Sequence, residues 1–323
     1  MRFVASWWRA LAQIVRTLVT THVRAGVQPI GRAQLATTPP MPMPGRHIPA
    51  SSPSSRLSEW IVSWIDNAVA FLMLERSLIV RNIGIASARG VLIPYHHFLR
   101  AAVVINAHIW ILWAINRGGG ALHSYMLFYT GGFTTWLLFS ITSQCGKPTT
   151  ITANFTKNMN IKWVNLFMAD LTWGSAQIIS AGVITLTFYT ILPFPRLGGP
   201  ITNLDILLLF LVWAITATMG AGYGIVLHTA MRRWPAIEAI REVLHWFLFI
   251  TSGVYGSYAT LPWFVAQYSW YQPMVAPLEY TRHALDAGYS VADLSLTYSA
   301  TVALALLFLG LGFRRWDQKS PSR

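Results

Sequence analysis

Residues Val243–Leu278 read VLHWFLFITSGVYGSYATLPWFVAQYSWYQPMVAPL, 36 positions without one Asp, Glu, Lys or Arg. A helix rises 1.5 Å per residue and the hydrocarbon layer is ~30 Å thick, so this stretch has length for one crossing or for a hairpin of two. Working outward, five further apolar blocks surround it: Leu99–Asn116, Ser124–Ser143, Leu166–Leu192, Leu204–Thr229 and Tyr298–Phe313. The whole chain is 54% hydrophobic and 11% charged, with a mean hydropathy of +0.45. A soluble domain carries roughly a quarter charged residues. The expected fold is an all-α membrane protein.

Charge placement decides how often Val243–Leu278 crosses. Two crossings make seven spans and put Arg314, Arg315, Lys319 and Arg323 outside. One crossing followed by a re-entrant or interfacial segment keeps them in the cytoplasm. In the second scheme the inner loops hold Lys147, Lys157 and Lys162, then Arg232, Arg233 and Arg241. The outer loops hold Arg117, then Arg196, then Arg282 among Glu279, Asp286 and Asp293. Cytoplasmic loops carry the excess of Lys and Arg, so the expectation is about six spans with both termini cytoplasmic.

Upstream, residues 1–56 contain seven arginines and no acid. Phe3, Trp7, Trp8, Leu11, Ile14, Val15 and Leu18 share a helical face, with Arg2, Arg9 and Arg16 between them, a pattern suited to an anionic membrane surface. Arginines interrupt every apolar core that a signal peptide needs. The Pro-, Ser- and Thr-rich stretch from Ala25 to Ser55 reads as a linker. Trp60–Val80 is broken by Asp66, Asn67, Glu75 and Arg76 and is expected as an amphipathic interface helix on the cytoplasmic face. The organisation is then a basic extension (1–56), an interface helix and lead-in (57–98), a six-span domain (99–315) and a cytoplasmic tail (316–323).

Several chemistries are excluded or unsupported. The formal charge of +13 lies between apolar blocks rather than on one basic face, which speaks against nucleic acid. The lone Cys145 rules out an internal disulfide and a cysteine metal cluster. Cys145-Gly146-Lys147-Pro148-Thr149 is the nearest approach to a phosphate-binding loop, and it lacks the upstream glycine and the hydroxyl residue. Any nucleotide energy must come from another chain. Glu238, Glu242 and His245 share a helix face, but a carboxylate-bridged metal site needs a second Glu-x-x-His unit that the chain does not have. His96 and His97 are neighbours that point about 100° apart, and no Gly-x-Ser-x-Gly occurs. Asp170 is an acid inside an expected span, placed one turn from its cytoplasmic end. Asn106 and His108 suit helix-to-helix hydrogen bonds.

The stretch Val254–Tyr289 concentrates Tyr255, Tyr258, Trp263, Phe264, Tyr268, Trp270, Tyr271, Tyr280 and Tyr289, with Pro262, Pro273 and Pro277 breaking any long helix. Short proline-broken helices at the outer face suit a re-entrant gate, which is allowed where backbone is buried in protein. The aromatics fit an interfacial belt or a stacking surface for sugar rings.

The motif order here resembles a family. Ser252-Gly253-Val254, Leu261-Pro262, Gln272-Pro273-Met274, Glu279, Arg282 and Gly288-Tyr289 look like the carboxyl-terminal signature of ABC-2 type permeases, above all the capsular-polysaccharide and O-antigen exporters. Gln272, Met274 and Ala276 replace the family's Asn, Leu and His. Glu75-Arg76 through Arg89-Gly90, and Tyr125–Phe128 with Thr130-Gly131 and Trp136, are similar to the family's lead-in and second span. The resemblance covers about residues 70–315.

It implies a permease subunit of an ATP-driven exporter in the bacterial inner membrane, moving lipid-linked polysaccharide. Two copies form the channel as a homodimer, and a separate ABC ATPase subunit binds and hydrolyses ATP, so this chain holds no cofactor. Ser252, Gly253, Leu261, Pro262, Pro273, Glu279, Arg282 and Tyr289 fall on the gate motif. Tyr255, Tyr258, Trp263, Trp270 and Tyr271 are the expected channel aromatics. Glu75, Arg76, Lys147 and Lys157 are the expected ATPase contacts. The alternatives are an ABC-2 exporter of a small hydrophobic compound and a membrane-embedded transferase acting on lipid-linked sugars.

Overall fold

In the computed structural model the described residues are 65, 69, 71, 73–81, 83–84, 93–114, 125–145, 147, 163–191, 204–258, 262–291 and 294–319. The basic extension, the tail from 320 and the expected site residues Leu261 and Lys157 lie outside them.

Eight α-helices are described: α1 (His96–Ala114), α2 (Tyr125–Thr142), α3 (Trp163–Ile191), α4 (Ile206–Arg233), α5 (Ile237–Thr251), α6 (Trp263–Ser269), α7 (Val275–Leu285) and α8 (Leu296–Lys319). Four of them, α1, α3, α4 and α8, are long and apolar enough to cross a membrane. Among the described residues the chain is thus all-helical, with membrane-length helices. Among the shorter ones, α2 has 18 residues and forms the centre of the bundle, with Met126, Phe128, Leu138 and Thr142 fully buried. With 15 residues, α5 reaches only about 22 Å. It ends at Ser252-Gly253, where Gly253 turns the chain at a φ of +82°, a left-handed conformation that glycine adopts without strain.

Contacts between helices fix their directions. Phe98 N–H donates to Gln177 Oε1 at 3.2 Å and Asn106 Nδ2 to Thr185 Oγ1 at 3.3 Å, so α1 and α3 run parallel. Ile141 lies against Gly174 and Thr134 against Gly182, so α2 opposes α3. Phe139 and Thr142 of α2 meet Gly220, and Ser143 meets Gly224, so α4 runs with α2. On the other side of α4, Gly222 abuts Leu307 and Gly310 faces Ile225, so α8 runs with α4. Ser140 pairs with His245 at 3.3 Å, and Trp136 packs on Phe249 with ring centres 5.1 Å apart, so α5 opposes α2. Hence α1, α3 and α5 point one way, while α2, α4 and α8 point the other.

Close helix approach explains the small residues of α4. A Cβ at Gly224 would sit 2.2 Å from Ser143 O, and one at Gly222 would sit 2.5 Å from Leu307 N. Small residues let helix backbones meet where lipid offers no hydrophobic drive to association. α7 wedges between α2 and α4 with Val275 to Glu279 all buried. It is tied to the start of α4, because Asp205 N–H donates to Ala284 O at 2.9 Å.

Part of the lead-in is described. Leu78 packs on Leu166 and Ala169, and Thr172 Oγ1 donates to Glu75, so this segment runs back along the first turns of α3. Phe98 stands level with Gln177, which leaves about 18 Å of α3 projecting beyond the start of α1. The lead-in docks on that projection.

Candidate functional site

A cavity of about 570 Å³ lies between α1, α2, α4 and α5. Its two ends differ in chemistry. Near the starts of α1 and α5 and the end of α2 it is lined by Arg100, Gln144, Lys147, Arg241 and Glu242; the far end is lined by His108, Phe133, Phe249 and Tyr255. Trp136, Tyr223, His245 and Trp246 line the stretch between them, and His228 joins the mouth beside Ser143.

The lining carries three permanent cations against one acid. Arg241 Nη2 lies 3.9 Å from Glu242 Oε1, whose side chain is 76% exposed, so the pair is weak and screened. His228 is buried and its Nε2 lies 3.1 Å from Ser143 O. A carbonyl only accepts, so Nε2 carries the proton and Nδ1 is left as an acceptor, with no protein partner among the described residues. The cavity therefore offers donors and positive charge at one end and flat aromatic faces beyond.

Beside the aromatic end sits a second, buried construction. Arg282 is fully buried (0% exposed). Its Nη1 donates to Glu279 Oε1 at 2.8 Å, and its Nη2 donates to Gly253 O at 2.8 Å and Val254 O at 3.0 Å. The guanidinium lies 3.6 Å from the Phe128 ring centre, a cation–π contact strengthened by desolvation. Gly132 is what admits it: a Cβ there would stand 3.0 Å from Arg282 Nη2. Glu279 also accepts from Tyr258 N–H at 3.1 Å. The Tyr289 hydroxyl bridges the Glu279 carboxylate and Ser257. One buried ion pair thus holds the 252–258 loop, α7 and the loop after it. A buried charge persists in such a place only when paired and hydrogen-bonded.

The motif residues separate into three groups. Gly253, Glu279, Arg282 and Tyr289 converge on this network, while Ser252 is buried but donates to Phe249 O at 2.7 Å; Pro262 is exposed at the cap of α6 and Pro273 accepts from Ser299 Oγ at 2.8 Å. The expected aromatic surface is divided. Tyr255 alone of the five reaches the main cavity. Trp270 and Tyr271 line a separate pocket of about 190 Å³ with Tyr298. Tyr258 lies 6.5 Å from the Trp270 ring, and Trp263 is 77% exposed. Proline breaks and the Gly253 turn send these rings in different directions. Glu75 faces inward to Thr172 at 9% exposure, leaving Arg76 exposed on the same segment. Lys147 joins the cavity lining.

The missed residues are Arg100, Trp136, Tyr223, His228 and Trp246, which are apolar or basic positions inside ordinary-looking spans. Their common signal is long-range, because the space they line lies between α1, α2, α4 and α5. Glu242 and His245 were visible as a polar face, but the cavity beside them was not.

The fold and these sites define a helical membrane protein. No family model matches the chain. Two curated proteins resemble it, both the polysialic acid transport protein KpsM of Escherichia coli, 28% identical over 120 residues. That stretch is 37% of this chain and 46% of the relative, so the likeness spans about half the length of the curated relatives it matches.

Proposed function

We propose that this chain is the membrane-spanning permease subunit of an ATP-driven exporter that moves a capsular or O-antigen type polysaccharide across the bacterial inner membrane. The observation that carries it is the cavity, with Arg100, Lys147 and Arg241 at its mouth and Trp136, Tyr223, Trp246 and Phe249 along its walls. Polar chains need a lined, hydrated path through hydrocarbon, and weak contacts at many sites let a polymer advance. Cations at the mouth suit an acidic glycan, and aromatic faces suit sugar rings. The likeness to a polysialic acid transport protein supports the same substrate class. A lining of arginine, lysine and histidine is a poor host for a small hydrophobic compound.

The alternating helix directions support six crossings, with α1, α3 and α5 running outward and both termini inside. In that scheme α6 and α7 form the re-entrant gate of the outer face, and the Glu279–Arg282 pair holds it together. A homodimer completes the channel around the cavity, and a separate ABC ATPase docks at the inner end, where Arg76 and Lys147 are exposed. Glu75 serves the lead-in rather than the ATPase surface.

The test is deletion of this chain in its glycan-producing host. Glycan is expected to accumulate inside the cell, with surface glycan restored by the intact chain and, where the glycan is acidic, only weakly by a double Arg100→Gln, Arg241→Gln variant. Normal surface glycan in the deletion strain overturns the proposal.

A further inference from the structure

We propose that Tyr255 and His108 form a cap on the outer end of the cavity, and that hydroxyl-rich chains open it by replacing the hydrogen bond between them. The proposal rests on the permease reading above and names the pair that selects for its substrate class.

The geometry fixes the roles. His108 Nδ1 lies 2.7 Å from Val104 O. The carbonyl must accept, so Nδ1 carries the proton, and Nε2 of the neutral ring is an acceptor. Tyr255 OH, 3.3 Å away, is then its donor. The His108 ring centre is 4.3 Å from Phe133, and the Tyr255 ring meets Phe133 edge-on at 5.7 Å and Phe249 at 5.2 Å. Together these rings line the end of the cavity that lies eight residues along α1 from Arg100, about 12 Å away.

The moving part is the Tyr255 side chain. Its loop is pinned on both sides: Arg282 holds the carbonyls of Gly253 and Val254, and Glu279 holds the N–H of Tyr258. Ser252, Gly253, Val254 and Ser257 are buried, whereas Tyr255 is 44% exposed. A fixed backbone carrying one half-exposed ring opens by side-chain rotation, a fast motion compared with helix displacement.

Selectivity follows from hydrogen-bond accounting. A passing hydroxyl donates to His108 Nε2, and another accepts from Tyr255 OH, so an opened cap leaves neither partner unsatisfied. An apolar compound leaves both unpaired, and a site built around polar groups rejects ligands that cannot pair them.

The test uses the full chain with its ATPase in intact spheroplasts, with Cys145→Ser removing the native thiol and Val104→Cys as reporter. Val104 lines the cavity within one turn of His108. A membrane-impermeant maleimide is added outside, and in a second arm to inverted vesicles, and the ratio of the two labelling rates is read. With Tyr255 and His108 intact and no glycan made, the ratio is low. It rises about fivefold in Tyr255→Phe, the effect of one neutral hydrogen bond, and further in Tyr255→Ala. It also rises in the unsubstituted cap when glycan synthesis is switched on. A ratio unchanged across the Tyr255 variants, or unchanged while glycan is being exported, overturns the cap. Absence of glycan export with a ratio that still responds to Tyr255 overturns the permease proposal and leaves the cap standing.

Discussion

At the scale of single residues, Arg282 is the centre of the buried network that joins the 252–258 loop to α7. Four partners converge on its guanidinium: one carboxylate, two carbonyls and one ring. Glu279→Ala strands that charge in a buried site, so it is expected to lower stability by about 3–5 kcal/mol. Thermal unfolding in detergent checks this, and an unshifted midpoint contradicts it. Glu279→Ala therefore reports on folding of the 252–258 loop as well as on export, whereas Tyr255→Phe leaves the ion pair intact. The i, i+3 spacing of Glu279 and Arg282 was legible in the sequence as a pair on one helix face. What spacing did not reveal is that the arginine's other arm reaches back 28 and 29 residues to Val254 and Gly253. Lysine in its place keeps the charge but lacks the planar fork that reaches three acceptors. Arg282→Lys is accordingly expected to fall between the parent and Glu279→Ala in the same unfolding series.

At the scale of elements, α4 shows how small residues set the spacing of the bundle. Gly220 and Gly224 face α2 while Gly222 faces α8, so one helix is closely approached on two sides. Gly224→Val forces side-chain atoms into Ser143, just past the end of α2, and overpacking of this kind costs about 1–3 kcal/mol. Gly312→Ala, where nothing lies within 4 Å of the added Cβ, is the control and should be near neutral. Equal loss of folded protein in both variants, measured by fluorescence size-exclusion chromatography, would refute this assignment. The lead-in gives a second prediction. Glu75→Ala removes the bond to Thr172 and should raise amide exchange across residues 73–81, while Glu75→Gln should retain much of the protection.

Apolar blocks located α1, α2, α3, α4 and α8 within a few residues, because length and hydropathy are local properties. The Val243–Leu278 stretch was legible as one helix followed by broken pieces, since Gly253, Pro262 and Pro273 are punctuation in the sequence itself. The cavity was not legible. It arises from how α1, α2, α4 and α5 pack and from which face each helix turns inward, and both are set by contacts far apart in the chain. His245 illustrates the difference. Its helix position followed from periodicity, but its place between Ser140 and the Trp136 ring follows only from packing.

At the scale of the whole molecule, the two ends of the bundle are chemically unlike. One end gathers Arg100, Lys147 and Arg241 around the cavity mouth and Arg232, paired with Asp317 at 3.3 Å. The other is lined by aromatic rings, with the buried ion pair beside them. Charge at a mouth acts on capture and is screened by salt over about 8–10 Å. Export by an Arg100→Gln, Arg241→Gln variant should therefore fall most for acidic glycan and little for a neutral one. The most direct measurement places a photo-crosslinking amino acid at Trp246, which lines the cavity midway between mouth and cap. In glycan-producing cells that also hold the ATPase, irradiation is expected to yield a protein–glycan adduct, and more of it when ATP hydrolysis is blocked. Adducts with lipid alone, in cells that export glycan normally, would contradict a polysaccharide path through this cavity.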